Sequence, residues 1–383
     1  MRVALFTPFS PEIGGGSAQL SSHLRYLSGL DVRWHYLSDQ PATNPQPQWN
    51  WLGPRLTPAE LLSDLSARTG ILPGSKGGIR KIVGQMDAEM YWVVGHYEGI
   101  SVAADLCDQQ KPVHLTIHDD PFGTWSRSNR FRMFQPLLSR TFPRLLRRAA
   151  SVDTTSWGMR NLYRQKYDVK CFSVYLHVPC LPQLDSAPDP GKLTVGHIGT
   201  LYQKEPFRRF VNACERIAGE QKRAFRVIKI GSSPEMNDFR KEYPTVFESH
   251  GDLHEDDAVP LLARCDLLYA MYPSGSKYEL FRRTSLPIKL STYVQAQRPI
   301  FAHSPADSGL ARIVGPARVG CVCSSLEEGQ IARQIQETML APPQRESFEA
   351  LRQELMGLDQ VRQLGAALRG EHWQSFPENN FRS

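Results

Sequence analysis

Short apolar runs alternate along this chain with stretches whose apolar residues return every three or four positions. The runs read as strands at 3–7, 32–37, 91–94, 113–117 and 151–154, then again at 193–198, 225–230, 247–249, 267–271, 300–302 and 319–322. Helical periodicity covers 17–27 and 58–67 in the first half, then 207–218, 256–264, 287–296, 327–340 and 346–368. Strand and helix in alternation predict parallel sheets with crossover helices. The Pro, Gln and Asn-rich stretch 40–58 and the aperiodic 70–78 read as loops. A Pro-rich polar stretch at 179–191 marks a linker between two similar α/β halves. The expected organisation is a first Rossmann-like domain over 1–183, a second over 192–365, and a tail over 366–383 that packs back on the first through Trp373 and Phe376. Open parallel sheets bind ligands beyond the carboxyl ends of their strands, so function is expected in a cleft where the two sheets face each other.

Composition narrows the class. The 383 residues are 41% hydrophobic and 22% charged, as in ordinary globular proteins, and no apolar run reaches the ~18 residues a membrane span needs. Met1-Arg2-Val3-Ala4-Leu5-Phe6 reads as a core strand rather than a secretory leader, which predicts a cytoplasmic protein. Seven dispersed cysteines with no Cys-x-x-Cys pair suggest neither disulfides nor zinc, and Cys321 and Cys323 read as strand packing. The net charge of +6 is uneven: Arg127, Arg130, Arg132, Arg140, Arg144, Arg147 and Arg148 crowd one segment, interleaved with Phe131, Leu137, Leu138, Phe142, Leu145 and Leu146. The pattern predicts basic amphipathic helices broken near Pro136 and Pro143. Such a segment is a solvated face or a surface for anionic lipid or an anionic acceptor, hence a possible peripheral membrane contact over 127–148. No nucleic-acid motif accompanies the charge.

Three positions carry candidate chemistry. After the first strand, Gly14-Gly15-Gly16 lets the backbone approach a ligand, with Ser17 placed to cap the following helix. A dinucleotide loop competes, with Asp39 as its ribose acid, although Gln19 stands where that fingerprint has its third glycine. In the second half, Gly199-Thr200 follows a strand and Lys204 offers a point charge for a diphosphate, while Gly231 closes the next strand. The stretch 284–302 reads as a phosphate-facing loop, a helix near Pro287 and a buried strand at Ile300. No Asp-x-Asp and no histidine cluster has metal spacing, so neither a metal nor a permanently bound cofactor is expected.

In this order, the glycine loop, His118 after strand 113–117, Gly199 with Lys204, Gly231, Gly251, Asp266 and Pro299-Ile300-Phe301-Ala302 resemble the GT-B glycosyltransferases, in particular the large retaining family 4 (glycosyl transferases group 1). The resemblance implies an α/β fold of two Rossmann-like domains across a cleft. It implies a UDP- or GDP-sugar as donor substrate, with Gly15, Gly16, Gly199, Thr200, Gly231, Thr284, Ser285, Pro287, Ile288, Lys289, Leu290 and Thr292 around it. His118 and Lys204 would be catalytic, and Asp119 and Asp120 would orient the imidazole or bind the hydroxyls of a glycan or lipid-linked acceptor. Sugar transfer would be retaining and metal-independent, in polysaccharide, glycolipid or glycoconjugate synthesis.

The chain departs from its relatives at three positions. They commonly carry arginine at Thr200 and glutamates at Thr284 and Thr292, where a hydroxyl supplies roughly half the strength of a charge-assisted bond. Lys289 would compensate on phosphate, as in relatives with a Pro-x-Lys-Leu helix start, and Glu279, Arg282 and Arg283 are further candidates. Two other readings stay open: an NAD(P)-dependent oxidoreductase, and a degenerate GT-B module that binds a glycan without turnover.

Overall fold

A computed structural model describes residues 1–12, 14–123, 134–184, 186–233 and 236–376. The chain forms two compact units. Among the described residues, one holds Met1–His177, Arg283–Ser285 and 357–376; the other holds Val178–Arg282 and Leu286–Met356.

In the first unit, β1 (Arg2–Thr7), β2 (Asp31–Leu37), β3 (Trp49–Gly53), β4 (Met90–Val94), β5 (Val113–Ile117), β6 (Ser151–Thr154) and β7 (Phe172–Ser173) form one sheet in the order β3-β2-β1-β4-β5-β6-β7. Every pairing is parallel. Both faces of the central strands are covered, and β4 and β5 are buried along their whole length, as parallel strands between helices must be. The order reverses between β1 and β4, which puts the topological switch point at the end of β1, where the glycine loop begins.

The second unit repeats the plan. Strands β8 (Lys192–Ile198), β9 (Ala224–Ile230), β10 (Phe247–His250), β11 (Leu267–Met271), β12 (Ile300–His303) and β13 (Gly320–Cys323) lie in the order β10-β9-β8-β11-β12-β13, again all parallel. An aromatic core of Phe207, Phe210, Phe239, Tyr269 and Phe301 holds helix Lys204–Glu220 to this sheet.

Several elements differ from the sequence reading. Strand β3 lies inside the stretch read as loop. It is an edge strand, half-buried to exposed, so it lacks the apolar run that marks a core strand. The helical pattern 346–368 is two helices, Arg345–Met356 and Leu358–Leu368, divided at Gly357. The chain enters the first unit at Gly357 rather than at 366. Helix Leu358–Leu368 buries Val361, Leu364, Ala367 and Leu368 there, and Trp373 packs on Phe172 with centroids 4.8 Å apart.

The arginine-rich segment is corrected in part. Positions 127, 130, 131 and 132 lie outside the described residues. The remainder is one helix, Gln135–Arg148, with Pro136 in its first turn and Pro143 inside it. Pro136 sits where its missing N–H costs nothing, so it starts the helix instead of breaking it. Leu137, Leu138, Phe142, Leu145 and Leu146 are core residues, which leaves Arg140, Arg144 and Arg147 as an exposed charged face without apolar companions. Arg148 pairs with Asp108 at 2.6 Å. Among the described residues, no helix is long and apolar enough to cross a membrane.

Candidate functional site

In the first unit the glycine loop and His118 meet. Helix Gly15–Leu24 starts directly at the loop, and its N-cap is Gly14, with φ +95° and no side-chain bond. Ser17 does not cap the helix. It is buried, and its hydroxyl donates to the Ser10 carbonyl at 2.7 Å, closing the loop on itself. Gly16 then faces the His118 ring so closely that a Cβ there would lie 2.7 Å from Nδ1. Phe9 stacks on the same ring at 6.1 Å. The space beside Gly16 is therefore filled by imidazole, where a dinucleotide loop would leave its backbone open to pyrophosphate. Asp39, the ribose acid of that reading, is exposed.

His118 follows β5, and its carbonyl accepts from Thr155 Oγ1 at 2.7 Å. Its Nε2 is inaccessible and has no hydrogen-bond partner among the described residues. Burial pushes the imidazole down to about 4, against the opposing charges of Asp153 and Asp119. At neutral pH the ring is uncharged, suited to exchange a hydrogen bond with a ligand hydroxyl rather than to carry charge.

Asp119 and Asp120 have different roles despite their adjacency. Asp119 Oδ1 accepts from Ser285 Oγ at 3.0 Å. Asp120 is buried, accepts from the Gly123 amide at 3.0 Å and from the Tyr163 hydroxyl at 2.9 Å, and has its pKa raised by that burial. Its two oxygens anchor the β5 turn. Thr284 and Ser285 follow β11 in sequence, yet they belong with the first unit, where the Thr284 carbonyl accepts from the Ser156 hydroxyl. Both are buried. The structure thus gathers Gly16, His118, Asp119, Thr284 and Ser285 in one unit.

The second group lies at the carboxyl ends of β8 and β9. Gly199 and Gly231 adopt φ of +74° and +79°, conformations that side chains disfavour. The Gly199 amide donates to Ile230 O at 2.9 Å and the Gly231 amide to Gly251 O at 3.0 Å, so the two turns are tied together. Lys289 begins helix Lys289–Ala296 and reaches back to place Nζ 3.4 Å from the Thr200 carbonyl. Burial, then the neighbouring charge of Lys229, lower this ammonium to about 7. Among the described residues no carboxylate pairs with it. Lys204 differs: its ammonium is exposed and engaged with Asp238. Among the described residues, Lys289 is therefore a cation at the Gly199–Thr200 turn that no carboxylate pairs, while Lys204 is paired.

Along the same helix, Pro287 and Ile288 precede Lys289 and form its opening turn, with Leu290 N bonded to Pro287 O at 3.0 Å and Leu290 itself in the core. Thr292 is nearly buried and donates to Glu255 Oε1 at 3.3 Å, the same oxygen that takes Gln295 Nε2 at 2.7 Å and Ser291 Oγ at 3.4 Å. A carboxylate thus stands at Thr292 after all, supplied by helix Glu255–Leu262. Arg282 holds Asp307 through Nε and Nη2 at 2.8 and 2.9 Å, a loop brace.

Sequence reasoning missed Glu255 and Lys229. Glu255 carries no local signal, because its proximity to Thr292 depends on how two helices pack. Lys229 did carry one: a lysine inside the apolar run Val227-Ile228-Lys229-Ile230 of a central parallel strand.

No family model matches the chain, and no curated protein matches its sequence. Solved structures do. Sucrose-phosphate synthase from Thermosynechococcus elongatus is similar at a TM-score of 0.66 with 16% identity, over 96% of this chain and 98% of that one. The E. coli trehalose-6-phosphate structure bound with UDP-2-fluoro glucose is similar at 0.58 and 11%, over 98% and 97%. Anabaena HepE in complex with UDP is similar at 0.58 and 14%, over 95% and 98%. Two parallel-sheet α/β domains over nearly the full length of each chain establish the GT-B glycosyltransferase fold.

Proposed function

We propose that this GT-B protein is a glycosyltransferase that moves a sugar from a nucleoside diphosphate to an acceptor hydroxyl. The observation that carries the reading is Lys289: an ammonium with no carboxylate partner among the described residues, set over the Thr200 carbonyl beside two left-handed glycine turns. An unneutralised cation at the carboxyl edge of a parallel sheet is stabilised by an incoming anion, and a diphosphate leaving group gains the same charge as it departs. Lys289 therefore takes the diphosphate role expected of Lys204. Glu255 offers an acceptor for ribose hydroxyls beside Thr292, in place of the glutamate the relatives carry there. His118, neutral and set against Gly16 at the glycine loop, is the group that meets the transferred sugar, and Asp119 binds the acceptor.

Similar structures support a UDP-linked donor: one holds UDP-2-fluoro glucose and another UDP. Family 4 membership, a retaining outcome, metal independence and a product among polysaccharides, glycolipids or glycoconjugates are parts of the same proposal. A lipid-borne acceptor in the cytoplasm would be met at helix Gln135–Arg148 by the charges of Arg140, Arg144 and Arg147 alone, since the apolar side chains of that helix are in the core.

Calorimetry with UDP-glucose, GDP-mannose and NADH tests the reading. A nucleotide sugar should bind, and Lys289→Ala should weaken it by about tenfold or more, the scale of one lost charge-assisted contact. Lys204→Ala should weaken it less. Binding of NADH with no nucleotide sugar bound would favour the oxidoreductase. Tight binding without hydrolysis or transfer would favour the non-catalytic module.

A further inference from the structure

A cavity of about 390 Å³ lies at the β7 edge of the first sheet, and none of the residues gathered around His118 or Lys289 lines it. Three segments of the first unit build it. Helix Trp157–Tyr167 gives Arg160 and Arg164 and stops at Asp168, whose φ of +52° turns the chain back through Lys170 into β7. Strand β7 gives Phe172. Helix Leu358–Leu368 gives Gln363, and the chain beyond it gives Trp373, Gln374 and Phe376.

These walls are held from behind. Trp373 packs on Phe172, and Gln363 Nε2 donates to the Trp373 carbonyl at 3.0 Å. Arg164 donates Nε and Nη2 to the Cys171 carbonyl at 3.0 and 2.7 Å, which fixes the guanidinium beside the start of β7. Arg160 is nearly buried, at 5% exposure. Lys170 is exposed, and among the described residues no carboxylate pairs with it. The lining thus sets three cations against one carboxylate, Asp168.

This mixture selects the occupant. Excess positive charge in a recess, less screened than on an open surface, favours an anion. A bare inorganic anion would leave the aromatic wall uncovered and most of the volume unused. An acyl chain would bury cations and amides without partners. Small-molecule sites of roughly 300–1,000 Å³ combine an apolar wall with a few polar groups, as this cavity does. A sugar ring has C–H faces that pack on aromatic rings and a rim of hydroxyls for amides. With an acid group it also meets an ammonium and a guanidinium through charge-assisted bonds.

We infer that this cavity binds an anionic saccharide, a sugar bearing a carboxylate or a phosphate. Lys170 and Arg164 meet the acid group, Trp373 and Phe376 the ring, and Gln363 and Gln374 its hydroxyls. None of these residues takes part in the proposed transfer, so the site stands apart from donor binding.

Isothermal calorimetry on the full chain tests it with glucuronate, glucose 1-phosphate, glucose, inorganic phosphate and UDP. At least one acidic sugar should bind about tenfold or more tighter than glucose and than phosphate, the scale of one charge-assisted contact. Saturating UDP should leave that affinity unchanged. Lys170→Glu alters an exposed side chain, and a urea melt checks that the fold is kept. It should weaken the acidic sugar about tenfold or more and leave UDP binding as it was. Competition by UDP, or an affinity untouched by Lys170→Glu, would put the sugar elsewhere and overturn the inference. Phosphate binding as tightly as the acidic sugars would overturn it too, as would failure of both sugars to bind. An acidic sugar bound through Lys170 with no UDP binding would uphold this site and sink the donor reading.

Discussion

Gly16 and His118 are a matched pair: a Cβ at residue 16 would meet Nδ1 of the imidazole at 2.7 Å and Phe9 at 3.2 Å. Gly16 does not adopt a left-handed conformation, so the requirement is space alone. Gly16→Ala should cost about 1–3 kcal/mol, the range for overpacking, or else push His118 out of place and lower activity. The control is Gly219→Ala in helix Lys204–Glu220, where nothing lies within 4 Å. That change should stabilise by about 0.5–1 kcal/mol. Denaturant melts of both variants, with transfer rates, check the pair; an unaltered Gly16→Ala protein would show that the ring moves freely.

Two histidines predict acid sensitivity. His118 and His35 are each pushed down to about 4 by burial, while the unfolded chain titrates near 6.5. The unfolded state therefore binds protons first, so stability is full above pH 6.5 and falls as pH drops towards 4. Each histidine should cost about 2 kcal/mol between pH 7 and pH 5. His118→Asn should remove its own share, about 2 kcal/mol, of a loss between the two pH values to which the buried His23, His197 and His303 also contribute, as read in urea melts. An unchanged slope would mean that its ring is already solvated.

Arg68 supports the outer face of the first unit. Its side chain, 4% exposed, bonds Asp64 at 2.7 Å and Asp105 at 3.3 Å, both themselves buried, and reaches Asp108 at 3.0 Å. Removing one partner of a buried pair leaves carboxylates without counter-charge, so Arg68→Ala should cost about 3–5 kcal/mol. Arg68→Met with Asp64→Leu should recover part of that. Thermal unfolding of the single and double variants measures it, and a single-variant loss below about 1 kcal/mol would place these carboxylates in contact with water.

Legibility followed burial. Strands β4, β5 and β11 were readable because both faces are buried and the run is unbroken. Strand β3 was not, because an exposed edge strand has no need of such a run. At the site, Gly16, Gly199 and Gly231 announced themselves as local backbone features, and His118 by its place after a strand. Whether Lys204 or Lys289 lacks a counter-ion was not readable, since Asp238 lies 34 positions from Lys204. Nor was Glu255, 37 positions from the threonine it meets.

That last contact gives the sharpest test of how this site departs from its relatives. From sequence, Thr292→Glu restores a missing acid and should improve nucleotide binding. The structure reverses the sign. Glu255 Oε1 already lies 3.3 Å from Thr292 Oγ1, so a second carboxylate would share the site with the first. Two carboxylates at that range raise the pKa of one, and the folded state loses stability at pH 7 that returns as pH falls below the raised value. Thr292→Glu should thus be less stable by about 1–2 kcal/mol at pH 7 and bind UDP more weakly. Adding Glu255→Gln should recover both losses, because one acid then remains with a neutral hydrogen-bonding neighbour. Urea melts at pH 7 and 5 and UDP titrations on the single and double variants decide it. Tighter UDP binding by Thr292→Glu with Glu255 intact would show that the two acids do not compete and that Glu255 belongs to the scaffold.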